Sequence, residues 1–141
     1  MSAPERRDPQ DAVFAPEELL RALPTPCYVY DEAQLRTRAA RLCSAFSWSV
    51  GFRAWFPVRA LPNPTVLRIL REEGQGALCV TAGEYRLALA SGFSPESIRF
   101  APEFPTDAEL AVPAADLVLD DGGLLLRLER ERPLPARLGL Q

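Results

Sequence analysis

The sequence predicts an α/β fold built on a parallel sheet, and three observations carry that reading. Short apolar runs suited to strands begin near residues 52, 77, 97, 116 and 136, about 19 to 25 residues apart. Each interval holds one helix-forming stretch, the rhythm of consecutive βα units. The runs are nearly all apolar rather than alternating, as strands covered on both faces require. With 141 residues, 48% of them hydrophobic and 25% charged, the chain has the length and composition of one globular domain with a real core.

Residues 1–15 are polar and Pro-containing, and are expected to be a disordered lead to a domain spanning 16–141. Pro16–Leu23 suits two turns of helix, with Pro16 at the first helical position and Glu17 and Glu18 near the positive helix end. Pro24 and Pro26 end it, and Cys27–Tyr30 is a short β-favouring run. Asp31 is placed to cap a helix reaching about Phe46, with Leu35, Leu42, Ala45 and Phe46 spaced for one face. Phe52–Val58 reads as a strand, and Asn63-Pro64 opens a helix that Gly74 and Gly76 stop. Ala77–Val80 is the next strand. Thr81 and Glu84, three residues apart, form a capping box leading into a helix that Gly92 ends. Ser97–Ala101 is a strand, Thr106 and Glu109 form a second box, and Asp116–Leu119 is a strand followed by a helix in the region 121–130. Arg137–Leu140 is the fifth strand.

The composition excludes much chemistry. There is no His, and all 16 basic residues are Arg. That removes Ser-His-Asp and Cys-His catalysis, His-ligated zinc, Walker-type phosphate binding and every lysine Schiff base within this chain. A net charge of −3 argues against nucleic acid or an anionic membrane as partner. Cys27, Cys43 and Cys79 are isolated, which fits partly buried thiols in a reducing compartment. No apolar run reaches the roughly 18 residues of a membrane span. The opening MSAPERRDPQ has neither secretory nor transit character, so a cytoplasmic protein is expected.

Three segments in order carry a family resemblance: Thr25-Pro-Cys-Tyr-Val-Tyr-Asp31 before an Arg-rich helix, Phe56-Pro-Val-Arg-Ala-Leu-Pro-Asn-Pro64, and Gly76-Ala-Leu-Cys-Val-Thr-Ala-Gly-Glu84. Together they resemble the N-terminal part of the fold-type III pyridoxal-phosphate (PLP) decarboxylases, the diaminopimelate, ornithine and arginine decarboxylase group related to alanine racemase. There the segments read approximately TP-x-YVYD, YAVKANPNP and GADVVSGGE. The resemblance covers about residues 24–141 and implies a partial (βα) barrel of about five parallel strands, the first half of a PLP-binding TIM barrel. A whole barrel takes about 250 residues. The resemblance therefore implies a truncated homologue, without the ring-stacking histidine, the Gly-rich phosphate loop, the acid facing the ring nitrogen and the C-terminal β domain.

The departures bear on function. The lysine that bonds the cofactor in the family falls on Arg59, and a guanidinium cannot lose its proton to form an imine. The asparagine two residues on falls on Leu61, and the family's acid before its V-V-S run falls on Leu78. Gly83 and Glu84 match, and Thr81 stands for serine. Arg59, Leu61, Leu78, Thr81, Gly83 and Glu84 thus outline a vestigial cofactor site, with no catalytic residue, no metal ligand and no PLP bound as a Schiff base. Two readings of Arg59 stand beside each other: a clamp for a small anion, or an arginine left at a vestigial site, paired with a nearby carboxylate or solvated. Glu84 and Thr81 read as a helix cap, Gly83 as close helix–strand packing or ligand approach, and Cys79 as core. Trp48, Phe52, Trp55 and Phe56 read mostly as core packing, and the pairs Asp120-Asp121 and Glu72-Glu73 as capping and solvated residues at helix ends.

The expected function is that of a catalytically inactive decarboxylase homologue acting through protein–protein contact. Its partner is a second copy or a full-length PLP-dependent decarboxylase, because an unclosed sheet edge invites pairing. The alternatives are a half-site subunit completed by another chain, or a small anion binder using Arg59.

Overall fold

The computed structural model describes residues 17, 21–103, 105–131 and 133–140. The chain divides into two units, Met1–Glu32 and Ala33–Gln141. In the first, Glu17, Arg21 and Ala22 are helical, within the expected Pro16–Leu23 helix. Pro16, residues 18–20 and the lead of residues 1–15 lie outside the described residues. Cys27–Tyr30 carries no strand, and Tyr28 is 91% exposed.

In the second unit, helix α1 (Glu32–Ala45) buries Ala39 against Val66 and Leu70, with Leu35 alongside. Of the predicted face, Leu35, Leu42, Ala45 and Phe46, only the beginning is covered, through Leu35 and the adjacent Ala39. Leu42 is exposed, and Phe46 turns outward to stack on Phe52, ring centroids 4.5 Å apart. Arg36 ties the helix down at its side, its two terminal nitrogens donating to Glu72 at 2.7 Å and Glu73 at 2.9 Å. Those two carboxylates are thus ion-paired as well as solvated.

Strand β1 (Trp55–Pro57) is shorter than the run Phe52–Val58 that suggested it. Pro57 has no N–H to give a ladder, and the chain passes at once into a 3₁₀ turn, Val58–Ala60. Helix α2 (Pro64–Glu72) starts as the sequence predicts: the Asn63 side-chain oxygen accepts from the N–H groups of Thr65 (2.9 Å) and Val66 (3.2 Å), with Pro64 in the first turn. Gly74, at φ +83°, takes the left-handed conformation that ends it. Then follow β2 (Gly76–Cys79), α3 (Ala82–Ala90), β3 (Ile98–Phe100), the single turn α4 (Asp107–Leu110), β4 (Asp116–Leu119), α5 (Gly122–Glu131) and β5 (Arg137–Leu140).

The five strands form one parallel sheet in the order β1-β2-β3-β4-β5, so each βα unit adds its strand beside the last. One face is covered by helices. Ala77, Cys79, Ile98, Phe100, Leu117 and Leu119 on it are buried together with Leu67, Tyr85, Ala88, Leu110 and Leu128 from the helices. Each large side chain buried there contributes about 1.5–3 kcal/mol relative to exposure. The other face is open. The register sets Pro57, Leu78, Arg99, Asp116 and Arg137 side by side across it. Three of these five residues are charged, which departs from the expectation of nearly all-apolar strands.

Of the aromatic stretch expected mainly in the core, Trp48 is 77% exposed and Phe52 exposed, while Trp55 and Phe56 are half-buried. The first two precede the ladder, where no helix covers them. Trp55 lies flat across its β2 neighbour: a Cβ on Gly76 would sit 2.5 Å from the indole. Gly83, by contrast, has ordinary φ and open space, the nearest atom to an added Cβ being the Thr81 hydroxyl at 3.7 Å. Close packing does not explain it. Gly76→Ala is therefore expected to lose about 1–3 kcal/mol as Trp55 is displaced. Gly83→Ala, inside α3, is expected to be neutral or to gain up to about 1 kcal/mol. Urea denaturation of the two variants measures both.

Candidate functional site

In open parallel sheets, ligands meet the chain beyond the strands' C-terminal ends, where the loops converge. Here that end is reached by Arg59 from the 3₁₀ turn after β1, Val80 after β2, Glu103 after β3 and Asp120 after β4. With Leu78, Ala101 and the open face of β4 and β5 they border a cavity of about 670 Å³. The Arg59 Nη1 donates to Glu103 Oε1 at 2.8 Å, and both side chains are more than half exposed. Of the expected readings, the pairing of Arg59 with a carboxylate is the one the geometry shows.

The other expected site residues are sorted by the fold into different places. Leu78 lies in the cavity wall with Arg59. Leu61 does not: it packs beside Ala39, Val66 and Leu70 under α1. Thr81, Gly83 and Glu84 belong to the start of α3 and do not line the cavity. The Thr81 hydroxyl accepts from the Glu84 N–H at 3.2 Å, and the Glu84 carboxylate accepts from the Val80 N–H at 2.8 Å. The return arm of this capping box thus reaches one residue further back than the usual form. In the second box the Glu109 carboxylate accepts from both the Thr106 N–H (3.0 Å) and the Thr106 hydroxyl (3.1 Å). Asp121 caps α5, taking the Gly123 N–H at 2.8 Å.

Sequence reasoning missed Glu103 and the charged row on the open face. Asp116, at 2% exposure, accepts from Arg99 Nε and Nη2 at 3.3 and 3.1 Å, and Arg137 Nε lies 3.4 Å away. The signal was present: Arg53, Arg99, Asp116 and Arg137 are the charged residues inside runs read as strands, and the register sets the last three side by side on one face.

Five parallel strands with their helices, and a cavity at the strands' C-terminal ends, define part of a (βα) barrel. Residues 32–119 match the family described as pyridoxal-dependent decarboxylase, pyridoxal binding domain, and the chain belongs to that family. It is 35% identical over 128 residues to the diaminopimelate decarboxylase of Methanothermobacter thermautotrophicus, covering 88% of this chain and 30% of that one. To the enzyme of the same name from Bacteroides thetaiotaomicron it is 37% identical over 95 residues, covering 67% of this chain and 25% of that one. The crystal structure of diaminopimelate decarboxylase from M. jannaschii superposes with a TM-score of 0.70 at 25% identity, over 80% of this chain and 28% of that chain. The chain thus spans less than a third of the length of each. These likenesses bear out the resemblance and the partial-barrel fold class.

The family is PLP-dependent, and the residues present here do not fit that cofactor as a covalently held group. The position that the resemblance assigns to the bonding lysine carries the Arg59 guanidinium, engaged by Glu103, and the position assigned to an acid is the apolar Leu78. No reaction step is therefore routed through it.

The thiols differ sharply. Cys79 is fully buried, and burial, with a smaller push from the Glu84 carboxylate, raises its thiol from 9.0 to about 12. Cys43 is intermediate and Cys27 exposed, so the expectation of partly buried thiols holds only for Cys43. With a disulfide reagent at pH 8, Cys27 is expected to react first, Cys43 more slowly and Cys79 only after denaturation. The raised thiol also fixes a sign. Below the unfolded value near 9 its contribution to stability is intact; as pH rises from there towards about 12, the unfolded chain sheds the proton while the folded one keeps it, and stability falls. Denaturation midpoints across that range, compared with Cys79→Ala, check it.

Proposed function

We propose that this chain is a catalytically inactive relative of the PLP-dependent decarboxylases that works through protein–protein association, as a pseudo-subunit or regulator. The observation that carries the reading is Arg59: a permanently protonated side chain at the position of the cofactor-bonding lysine, joined to Glu103 at 2.8 Å, in a sequence with no lysine at all. A guanidinium offers no lone pair for imine formation, and neither Cys79, protonated and buried, nor any histidine stands in as a nucleophile or base.

Association is supported by the surface. Among the described strands, β1 and β5 each pair on one side only, and Leu126 and Leu140 are 59% and 63% exposed. A one-sided strand is a template for another chain. The proposed partner is a second copy of this chain or a full-length PLP-dependent decarboxylase.

Supplied with PLP and with diaminopimelate, ornithine or arginine, the purified chain is expected to release no carbon dioxide. Borohydride is expected to leave no cofactor mass on the peptide carrying residue 59. Decarboxylation by the chain alone, or a reduced adduct on that peptide, overturns the inactive reading. Sedimentation of the chain, alone and mixed with a full-length decarboxylase from its own organism, is expected to show a homo-oligomer or a mixed complex. A monomer under both conditions overturns the association.

A further inference from the structure

Toward the beginnings of the strands, away from Arg59, three arginines converge on one tryptophan. The Arg99 guanidinium lies 4.5 Å from the Trp55 ring centroid and that of Arg53 lies 5.6 Å from it. Arg137 comes to the same place from β5, and its Nη2 donates to the Glu96 carbonyl at 2.8 Å; Arg53 Nη1 donates to that oxygen at 3.3 Å. Phe52, Arg53, Trp55, Glu96, Arg99 and Arg137 border a cavity of about 560 Å³. Gly76 makes the arrangement sterically possible by letting the indole lie against the sheet.

The charges here do not cancel. Asp116 takes Arg99 and, at 3.4 Å, Arg137. The Glu96 carboxyl is held below its usual range by its own backbone N–H and by Ser94, with Arg137 a lesser influence. Arg53 is left with a carbonyl and a ring, and has no carboxylate partner among the described residues. Three guanidinium groups thus face two carboxylates, in a chain whose net charge is −3. Arginines stacked on an indole and anchored to a carbonyl are already ordered, so they lose little freedom on taking a ligand. A guanidinium also presents paired N–H donors that match two oxygens of one anion.

We propose that this cavity binds a small doubly charged oxyanion of the phosphate class, gripped by Arg53 and Arg137, with Arg99 and Trp55 as its floor. The site shares Arg99 and Arg137 with the cavity at the strands' C-terminal ends, but it needs neither Arg59 nor association with another chain.

Trp48→Phe leaves Trp55 as the one indole of the two in the chain, and serves as the background for a fluorescence titration. Inorganic phosphate is added at constant ionic strength, balanced with sodium chloride. The expected result is a saturable change in Trp55 emission at millimolar phosphate or below, with affinity reduced by about tenfold in Arg53→Gln and in Arg137→Gln. Arg38→Gln, on an exposed part of α1, is expected to bind as before. Thermal unfolding in chloride confirms that each variant is folded, and Arg53, lacking a carboxylate partner, is the replacement least disturbing to the fold. A response that chloride reproduces, one that survives both arginine replacements, or malonate binding as tightly as phosphate overturns the proposal.

Discussion

The second unit depends on the burial of one face of a five-stranded parallel sheet. Alternation along each strand sends Ala77, Cys79, Ile98, Phe100, Leu117 and Leu119 to the helices. Once that face is committed, the identity of the opposite face is fixed residue by residue. Pro57, Leu78, Arg99, Asp116 and Arg137 line up across it, and a one-residue slip would turn Ile98 and Phe100 of β3, or Leu117 and Leu119 of β4, outward and carry Arg99 or Asp116 into the core. The register is thus enforced twice, by apolar burial on one side and by the Arg99–Asp116–Arg137 contacts on the other. The second device is the weaker, since both arginines reach solvent.

The same constraint explains which parts of the molecule are legible in the sequence. The expected bounds of β4 and β5 match the observed ones, because their runs end at residues that change character abruptly. The expected β1 starts too early, since Phe52 and Arg53 look strand-like in isolation; only the structure shows that Phe52 prefers the ring of Phe46. The stripe expected on α1 is buried only in its first half, because Val66 and Leu70 of α2 meet it at Leu35 and Ala39 while Leu42 and Phe46 stay exposed. Local caps are readable because they involve residues three apart; how far a glutamate reaches back, to Val80 or to Thr106, is not.

The candidate site is half legible. Short motifs point to Arg59 and Leu78, and the fold does place them together. Leu61, Thr81, Gly83 and Glu84 come from the same motifs and serve the fold instead, one under α1 and three at the start of α3. Motif adjacency in sequence does not separate residues that face a cavity from those that build the elements around it. The charged row is hidden in the sequence for a different reason. Runs such as Ser97–Ala101 and Arg137–Leu140 look apolar when taken whole, and that view merges the two faces that alternation keeps apart.

Glu103 changes how Arg59 is understood. A lysine used for imine chemistry must be able to shed its proton, so a close carboxylate partner works against it by holding the ammonium form. An arginine has no neutral form to protect, and a carboxylate at 2.8 Å suits it. The pair is more than half exposed on both sides, and contacts of that kind contribute about 0–1 kcal/mol. Its consequence lies in occupancy rather than stability. Two side chains meet where the strand ends converge, and an anion approaching Arg59 there meets the charge of Glu103 beside it. At the other end of the open face the balance is reversed: Arg53 has a carbonyl and a ring but no carboxylate among the described residues. Of these two cations, the one without a carboxylate partner among the described residues is Arg53, not Arg59.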